Sequence, residues 1–471
     1  MSQDRSLLIE EVPKMAKYVL PTVAAWFGSL AMGATVGFSS PAIPSILLSH
    51  RHLKMSESVQ GWFGSLMALG AAFGAIIAAS IVDKWGRKLT LMLSAVIDLI
   101  GCLIEIYSMN LVILFTGRFI TGISCGVLCL AAPLYIAETA DPKWRGLLGS
   151  GFQLFVTIGV LLSYIIGSFV SWSWLALTCT VYPLIMLILL CFMPETPIFL
   201  IKNGHIREAN DVLVFLFGSD SKLSNPNLYT VNADEKEAAQ LSDFKKKEVF
   251  YPMILSLILM FFQQFSAINA VMFFSSQMMK DSNLMGVETS IIVLAAVGVW
   301  FTFISTILTD KAGRRILLML SGALMCICMA VISIYYLLSN IKGNQFRVDF
   351  GWIVVVALCS FVASFAIGYG PLPWVLMSEY VPTKVKGIAS GIAVCFNWLS
   401  AFIVTLVFKY LALLIGNDIT YLIFALINGC GVVFVYSQVF ETKGKSLQEI
   451  EIYFKNGAKS GSKSRQLDDL L

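Results

Sequence analysis

The sequence predicts an all-α membrane protein, with twelve transmembrane helices in two six-helix bundles and cytosolic helices between them. Three observations predict it. The chain is 57% hydrophobic and only 13% charged, against about 25% charge in a soluble domain. Apolar runs long enough to cross a bilayer as helices recur along its whole length. A charged, glycine-centred loop occurs twice, as Asp83-Lys84-Trp85-Gly86-Arg87-Lys88 and as Asp310-Lys311-Ala312-Gly313-Arg314-Arg315, each between two such runs. In lipid the backbone must satisfy its own hydrogen bonds, so these runs are helices.

The runs lie near 18–43, 59–82, 89–109, 111–138, 147–170 and 174–193, then 250–278, 287–309, 316–338, 352–379, 388–410 and 419–440. They are called spans one to twelve here. The implied domains are an N-terminal tail 1–17, a first bundle 18–193, a helical linker 194–249, a second bundle 250–440 and a C-terminal tail 441–471. The first seventeen residues are polar, and no cleavable signal peptide is visible before the first span, which is long enough to remain as an anchor. In the linker, Pro197 to Phe217 is amphipathic, Ser219–Asn232 is rich in Ser and Asn, and Ala233–Lys247 is charged. This reads as helices joined by a loose loop.

The repeat extends past the opening motif. Glu138 precedes Arg145-Gly146 by seven residues, and Glu379 precedes Lys386-Gly387 by seven. Pro194-Glu195-Thr196 ends the sixth span, and Glu441-Thr442-Lys443-Gly444 ends the twelfth. Matched features in matched order predict two homologous halves.

Loops 2–3, 4–5, 6–7, 8–9 and 10–11 hold seventeen Lys and Arg, while the opposite loops hold few, among them Arg51, Lys54, Lys280, Lys342 and Arg347. The positive-inside rule puts the richer loops and both termini in the cytosol. Asp83, Arg87, Lys88, Glu138, Arg145, Glu195, Asp310, Arg314, Arg315, Glu379, Lys386 and Glu441 are therefore candidates for a cytosolic gate. In that reading Glu138, Glu195, Glu379 and Glu441 face Arg87, Arg145, Arg314, Arg315 and Lys386, and ion pairs between the halves hold the cytosolic side shut. The plainer alternative is that the basic residues only set topology.

Gly86 and Gly313 are expected to permit tight turns. Gly70 with Gly74, and Gly122 with Gly126, have the spacing that brings membrane helices close. All ten cysteines fall inside predicted spans, so no structural disulfide is expected. No metal-ligand cluster, nucleotide loop or nucleophile–base pattern stands out, so neither a metal nor a cofactor is called for and an enzyme is the least favoured class. Nothing points to nucleic acid.

Amides inside apolar spans need a partner or a purpose. Gln153 lies in span five, Gln263, Gln264 and Asn269 in span seven, and Asn397 beside Trp398 in span eleven. Trp374 follows Gly370-Pro371-Leu372-Pro373, where prolines break span ten. Amides both donate and accept, which suits sugar hydroxyls. Tryptophan offers a flat apolar face and one N–H. Interhelical hydrogen bonding is the alternative use. Charges deep in the spans are Asp98, Glu105 and Arg118, of which Glu105 and Arg118 are placed to pair.

Together Asp83–Lys88, Gly117-Arg118, Pro133–Glu138, Arg145-Gly146, Pro194–Pro197, Gln263–Asn269, Asp310–Arg315, Gly370–Trp374 and Glu441–Gly444 resemble the sugar porter family of the major facilitator superfamily. The resemblance spans about residues 18–445. It implies the major facilitator fold, a neutral sugar as substrate, and a site between the halves to which Gln153, Gln263, Gln264, Asn269, Trp374, Asn397 and Trp398 contribute. Thr35 stands where the family's proton symporters carry an Asp, which implies facilitated diffusion. Gly298 stands where many hexose carriers have Asn, Met260 where glucose carriers often have Gln, and Phe273 and Phe274 where tyrosines are frequent. Met260–Phe274 and Gly37–Ala42 look like the facilitated trehalose transporters of insects and short-first-loop facilitative glucose carriers. The expectation is a monomeric uniporter of the plasma membrane for trehalose or glucose. A proton–sugar symporter using Asp98 or Glu105, and a transporter-like nutrient sensor, are the alternatives. Asp4-x-x-x-Leu8-Ile9 and the final Leu470-Leu471 fit dileucine sorting patterns, which would add endosomal or lysosomal cycling.

Overall fold

A computed structural model describes residues 17–49, 55–141, 144–218, 243–279, 286–382, 385–443, 445 and 447–455. The terminal dileucines and the Ser- and Asn-rich stretch of the linker lie outside the described residues.

Among the described residues, twelve helices are long and apolar enough to cross a membrane. The first half has Val19–Gly37, Glu57–Trp85, Arg87–Ile106, Leu111–Thr139, Arg145–Gly167 and Trp172–Phe192. The second has Lys247–Met278, Val287–Ala312, Arg314–Lys342, Trp352–Tyr380, Lys386–Ile415 and Asn417–Gln438. Local chemistry starts several of them. The Ser56 hydroxyl accepts from the Val59 N–H to cap span two, and Asn110 Oδ1 accepts from Ile113 N–H at 2.9 Å to cap span four. After span one, a second short helix, Ser39–Leu47, continues the path.

Three spans are broken. Span six divides into Trp172–Cys179 and Val181–Phe192, and span seven into Lys247–Phe265 and Ile268–Met278. Span ten divides into Trp352–Ile367 and Leu372–Tyr380 at the expected Gly-Pro-Leu-Pro. The break in span seven carries no proline. It turns on Ala267, which is buried with φ of 77° and is the one non-glycine with positive φ among the described residues. A left-handed alanine costs on the order of 1 kcal/mol, so the surrounding fold must hold it there.

The small-residue spacing does what it predicts. A Cβ on Gly70 or Gly74 would strike the carbonyls of Phe119 or Ile123, and one on Gly122 or Gly126 would strike those of Met67 or Ala71. Spans two and four thus press backbone on backbone through reciprocal glycine pairs. Gly33 of span one meets Val156 of span five in the same way.

The linker supplies Pro197–Lys202 and Ile206–Phe217, the former capped by the Thr196 hydroxyl. The C-terminal segment, expected only as a tail, contains a further helix, Leu447–Lys455. It docks by aromatic contact: Tyr453 stacks on Phe440 at 3.9 Å, and Phe454 packs on Tyr380 and Tyr251. All ten cysteines are free thiols.

Candidate functional site

The charged loops gather on one face, and the two halves solve the same problem in the same way. Gly86 and Gly313 both have φ of 90°, and each turns the chain into a new helix. The exposed N–H groups of that helix need acceptors. Glu195 receives the Arg87 and Lys88 N–H groups at 3.0 Å, and Glu441 receives those of Arg314 and Arg315 at 3.0 Å. A side chain on either glycine would collide with its carboxylate, at 2.3 Å from Glu195 Oε2 and 2.8 Å from Glu441 Oε2. Burial pushes the Glu195 carboxyl above its ordinary range, against the pull of three backbone N–H donors.

Side chains complete each cluster. Arg87 binds Glu138 at 3.0 Å and Asp83 at 3.1 Å, and Lys202 lies 3.6 Å from Asp83. Glu138 also accepts from the Thr196 hydroxyl. Arg314 lies 3.5 Å from Glu379, while Arg315 donates to the Tyr436 carbonyl. Here the structure departs from the expected arrangement: these pairs join helices within one half rather than across the halves. Glu195 and Glu441 cap helices of their own half. Arg145 is exposed and pairs with no described acid. The side chains of Asp310 and Lys386 lie outside the described set.

The amides of the second half converge. Gln263 Nε2 donates to the carbonyls of Tyr369 and Gly370 at 2.8 and 2.9 Å, the two acceptors freed by the break in span ten. Its Oε1 accepts from Asn397 at 2.6 Å. Asn397 Oδ1 accepts from Gln264 at 2.9 Å, and Gln264 Oε1 accepts from Asn269 across the Ala267 turn. Four side chains thus form one network beside two helix breaks, with Gln263 satisfying the carbonyls at the break in span ten. Met260 puts its sulfur 3.3 Å from Asn397 Nδ2, in the place where an amide is frequent in the resembling carriers.

Counting donors separates the members. Both N–H groups of Gln263 are used. Gln264 keeps one N–H, and Asn269 keeps one N–H and its carbonyl oxygen. Trp374 is half-buried. Trp398 is buried against Cys129 of span four, and its Nε1 has no nitrogen or oxygen partner among the described residues. Gln153 is half-buried on span five and makes no hydrogen bond to a described residue.

A second polar group is buried in the first half. Arg118 is wholly buried, 3.9 Å from Glu105 Oε1. It donates to the Thr35 carbonyl at 3.2 Å and the Ser39 hydroxyl at 2.8 Å, with Phe38 and Phe63 each 5.3 Å from its guanidinium carbon. Asp98 is buried nearby on span three, and its Oδ1 has no partner among the described residues.

Sequence reasoning missed the polar contacts between the halves on the face opposite the charged loops. Ser40 bonds the hydroxyls of Ser275 and Ser276 at 2.8 and 2.7 Å, and Tyr164 donates to the Met272 carbonyl. Gln60, Gln277 and Lys409 form another link there. Their signal was present, as polar residues near span ends, but such residues usually mark only a helix boundary.

The chain is 36% identical over 458 residues to "Solute carrier family 2, facilitated glucose transporter member 8" of Mus musculus, covering 94% of this chain and 95% of that protein. It is 34% identical over 444 residues to "Facilitated trehalose transporter Tret1" of Apis mellifera ligustica, covering 93% and 88%. Its fold matches the proton:xylose symporter XylE with a TM-score of 0.77 at 24% identity, covering 94% of this chain and 100% of that one. The family model "Sugar (and other) transporter" matches residues 20–454. The chain therefore belongs to the sugar transporter family, with the major facilitator fold, and is a membrane transporter rather than an enzyme.

Proposed function

We propose that the protein is a facilitative uniporter of a neutral sugar, glucose or trehalose, working by alternating access between its two halves. The observation that carries this reading is the amide network across the broken spans seven and ten. It holds no ionisable group among Gln263, Gln264, Asn269 and Asn397, so it suits hydroxyls and not phosphate or carboxylate. Gln263 and Asn397 hold the network together. Gln264 and Asn269 keep the spare donors and acceptor a sugar needs, and Trp374, Trp398 and Gln153 are the assigned apolar and polar partners. Both named relatives are facilitated sugar transporters.

The clusters around Arg87 and Arg314 serve this cycle by holding each half rigid at its cytosolic end. That would let the halves rock as bodies, with the charged face cytosolic. The protein acts as a monomer in the plasma membrane with both termini in the cytosol.

Asp98 and its unpartnered oxygen favour one rival, a proton–sugar symporter. Uptake of labelled trehalose and glucose into proteoliposomes, with and without an inward proton gradient, separates the two. Uptake that stops at equal concentrations and ignores the gradient supports the uniporter. Accumulation driven by the gradient overturns it.

A further inference from the structure

On the face opposite the charged loops, a chain of side chains runs from one half to the other. Lys409, near the end of span eleven, donates from Nζ to Gln277 Oε1 at 2.8 Å. Gln277 Nε2 donates to Gln60 Oε1 of span two at 2.8 Å, and Gln60 Nε2 donates to the Met55 carbonyl at 3.2 Å. Glu57, the first residue of span two, places Oε2 3.7 Å from the same Nζ, and the Phe274 ring centre is 5.8 Å from it. The stem of Lys409 runs alongside Gly61, where a Cβ would lie in ordinary contact, 3.5 Å from Lys409 Cβ and Cγ.

The energetics single out the amide relay. Glu57 is 61% exposed, so its ion pair contributes little. The Lys409 side chain is only 16% exposed, and a charge-assisted hydrogen bond there is stronger than a neutral one. Lys409 and Gln277 belong to the second half, Gln60 and Glu57 to the first. Parting the halves on this face breaks the Gln277–Gln60 bond and the Lys409–Glu57 contact together.

We propose that the Lys409–Gln277–Gln60 chain is a latch that holds the outer face shut and biases the resting transporter toward its outward-closed state. This rests on the alternating-access reading above. The latch lowers the population open to the outside, and so weakens apparent affinity for sugar arriving from that side.

The test reads accessibility rather than flux. Phe273 is fully buried, and the Cβ position of Gly64 in span two lies 3.8 Å from its Cβ. Phe273→Cys therefore reports opening of this face to a membrane-impermeant maleimide on intact cells, with the protein lacking that change giving the background from native thiols. In the Phe273→Cys protein, Lys409→Met, which releases Gln277, and Gln277→Leu are each expected to raise the labelling rate by up to about tenfold, the scale of the one Gln277–Gln60 hydrogen bond that opening breaks. The two together should add little to either alone, because both cut one chain. Lys409→Arg, which keeps a donor, should label close to the parent rate. An unchanged rate in Lys409→Met at equal surface abundance overturns the latch, as does full additivity of the two changes. A protein that labels as expected yet moves no sugar would uphold the latch and remove the uniporter reading instead.

Discussion

Glu195 and Glu441 occupy equivalent places in the two halves, each accepting the first backbone N–H groups of the helix that follows a left-handed glycine. A cap of this kind contributes about 1 kcal/mol, and somewhat more when its acceptor is charged. Glu195→Ala and Glu441→Ala should each lower the melting temperature of the purified protein by a few degrees. Equal melting curves for both variants and parent would refute the capping role. Gly86→Ala and Gly313→Ala should lower it further, because they combine left-handed strain with a collision at the carboxylate.

The raised proton affinity of Glu195 gives a pH signature. A carboxyl whose folded-state value lies above its ordinary value of 4.5 binds its proton more tightly when folded. Its contribution is then full at low pH and lost as pH rises from that ordinary value through the folded one. Relative to Glu195→Gln, which does not titrate, the parent should lose thermal stability as pH climbs through that window. A stability difference that is flat or grows with pH would contradict this.

Gln263 and Asn269 should separate by phenotype. Gln263 holds two carbonyls freed by the break in span ten, so Gln263→Ala leaves buried acceptors unpaired, at about 1–3 kcal/mol. Melting temperature and sugar affinity should fall together. Asn269→Ala gives up one hydrogen bond, to Gln264, but removes spare polar capacity, so affinity should fall with little loss of stability. Binding titration and thermal melting of both variants check this, and identical profiles would undo the assignment.

Arg118 and Glu105 form a pair in which both side chains are buried. Removing one partner of such a pair costs about 3–5 kcal/mol, because the remaining charge stays buried. Glu105→Gln should therefore be poorly folded, and Glu105→Leu combined with Arg118→Leu should recover much of the loss. A stable Glu105→Gln protein would show that Thr35 and Ser39 suffice to hold the arginine.

Much was legible before the structure. Hydropathy alone marked the twelve spans, because a bilayer demands long apolar helices wherever the backbone crosses it. The duplicated Asp–Gly–Arg loops marked the two halves, and Gly70, Gly74, Gly122 and Gly126 announced close helix approach, though not that spans two and four are the helices that meet, since only small residues let backbones touch. What the sequence could not decide was who pairs with whom. Glu195 could have met an arginine across the halves. It caps its own half because the turn at Gly86 aims Arg87 and Lys88 N–H groups at it. The left-handed turn at Ala267 had no glycine or proline to announce it, and the Lys409–Gln277–Gln60 chain joins residues hundreds of positions apart. Periodicity and composition are local properties that a linear chain displays. Partner choice depends on helix rotation and on the register between packed helices, and those are fixed only when the two halves come together.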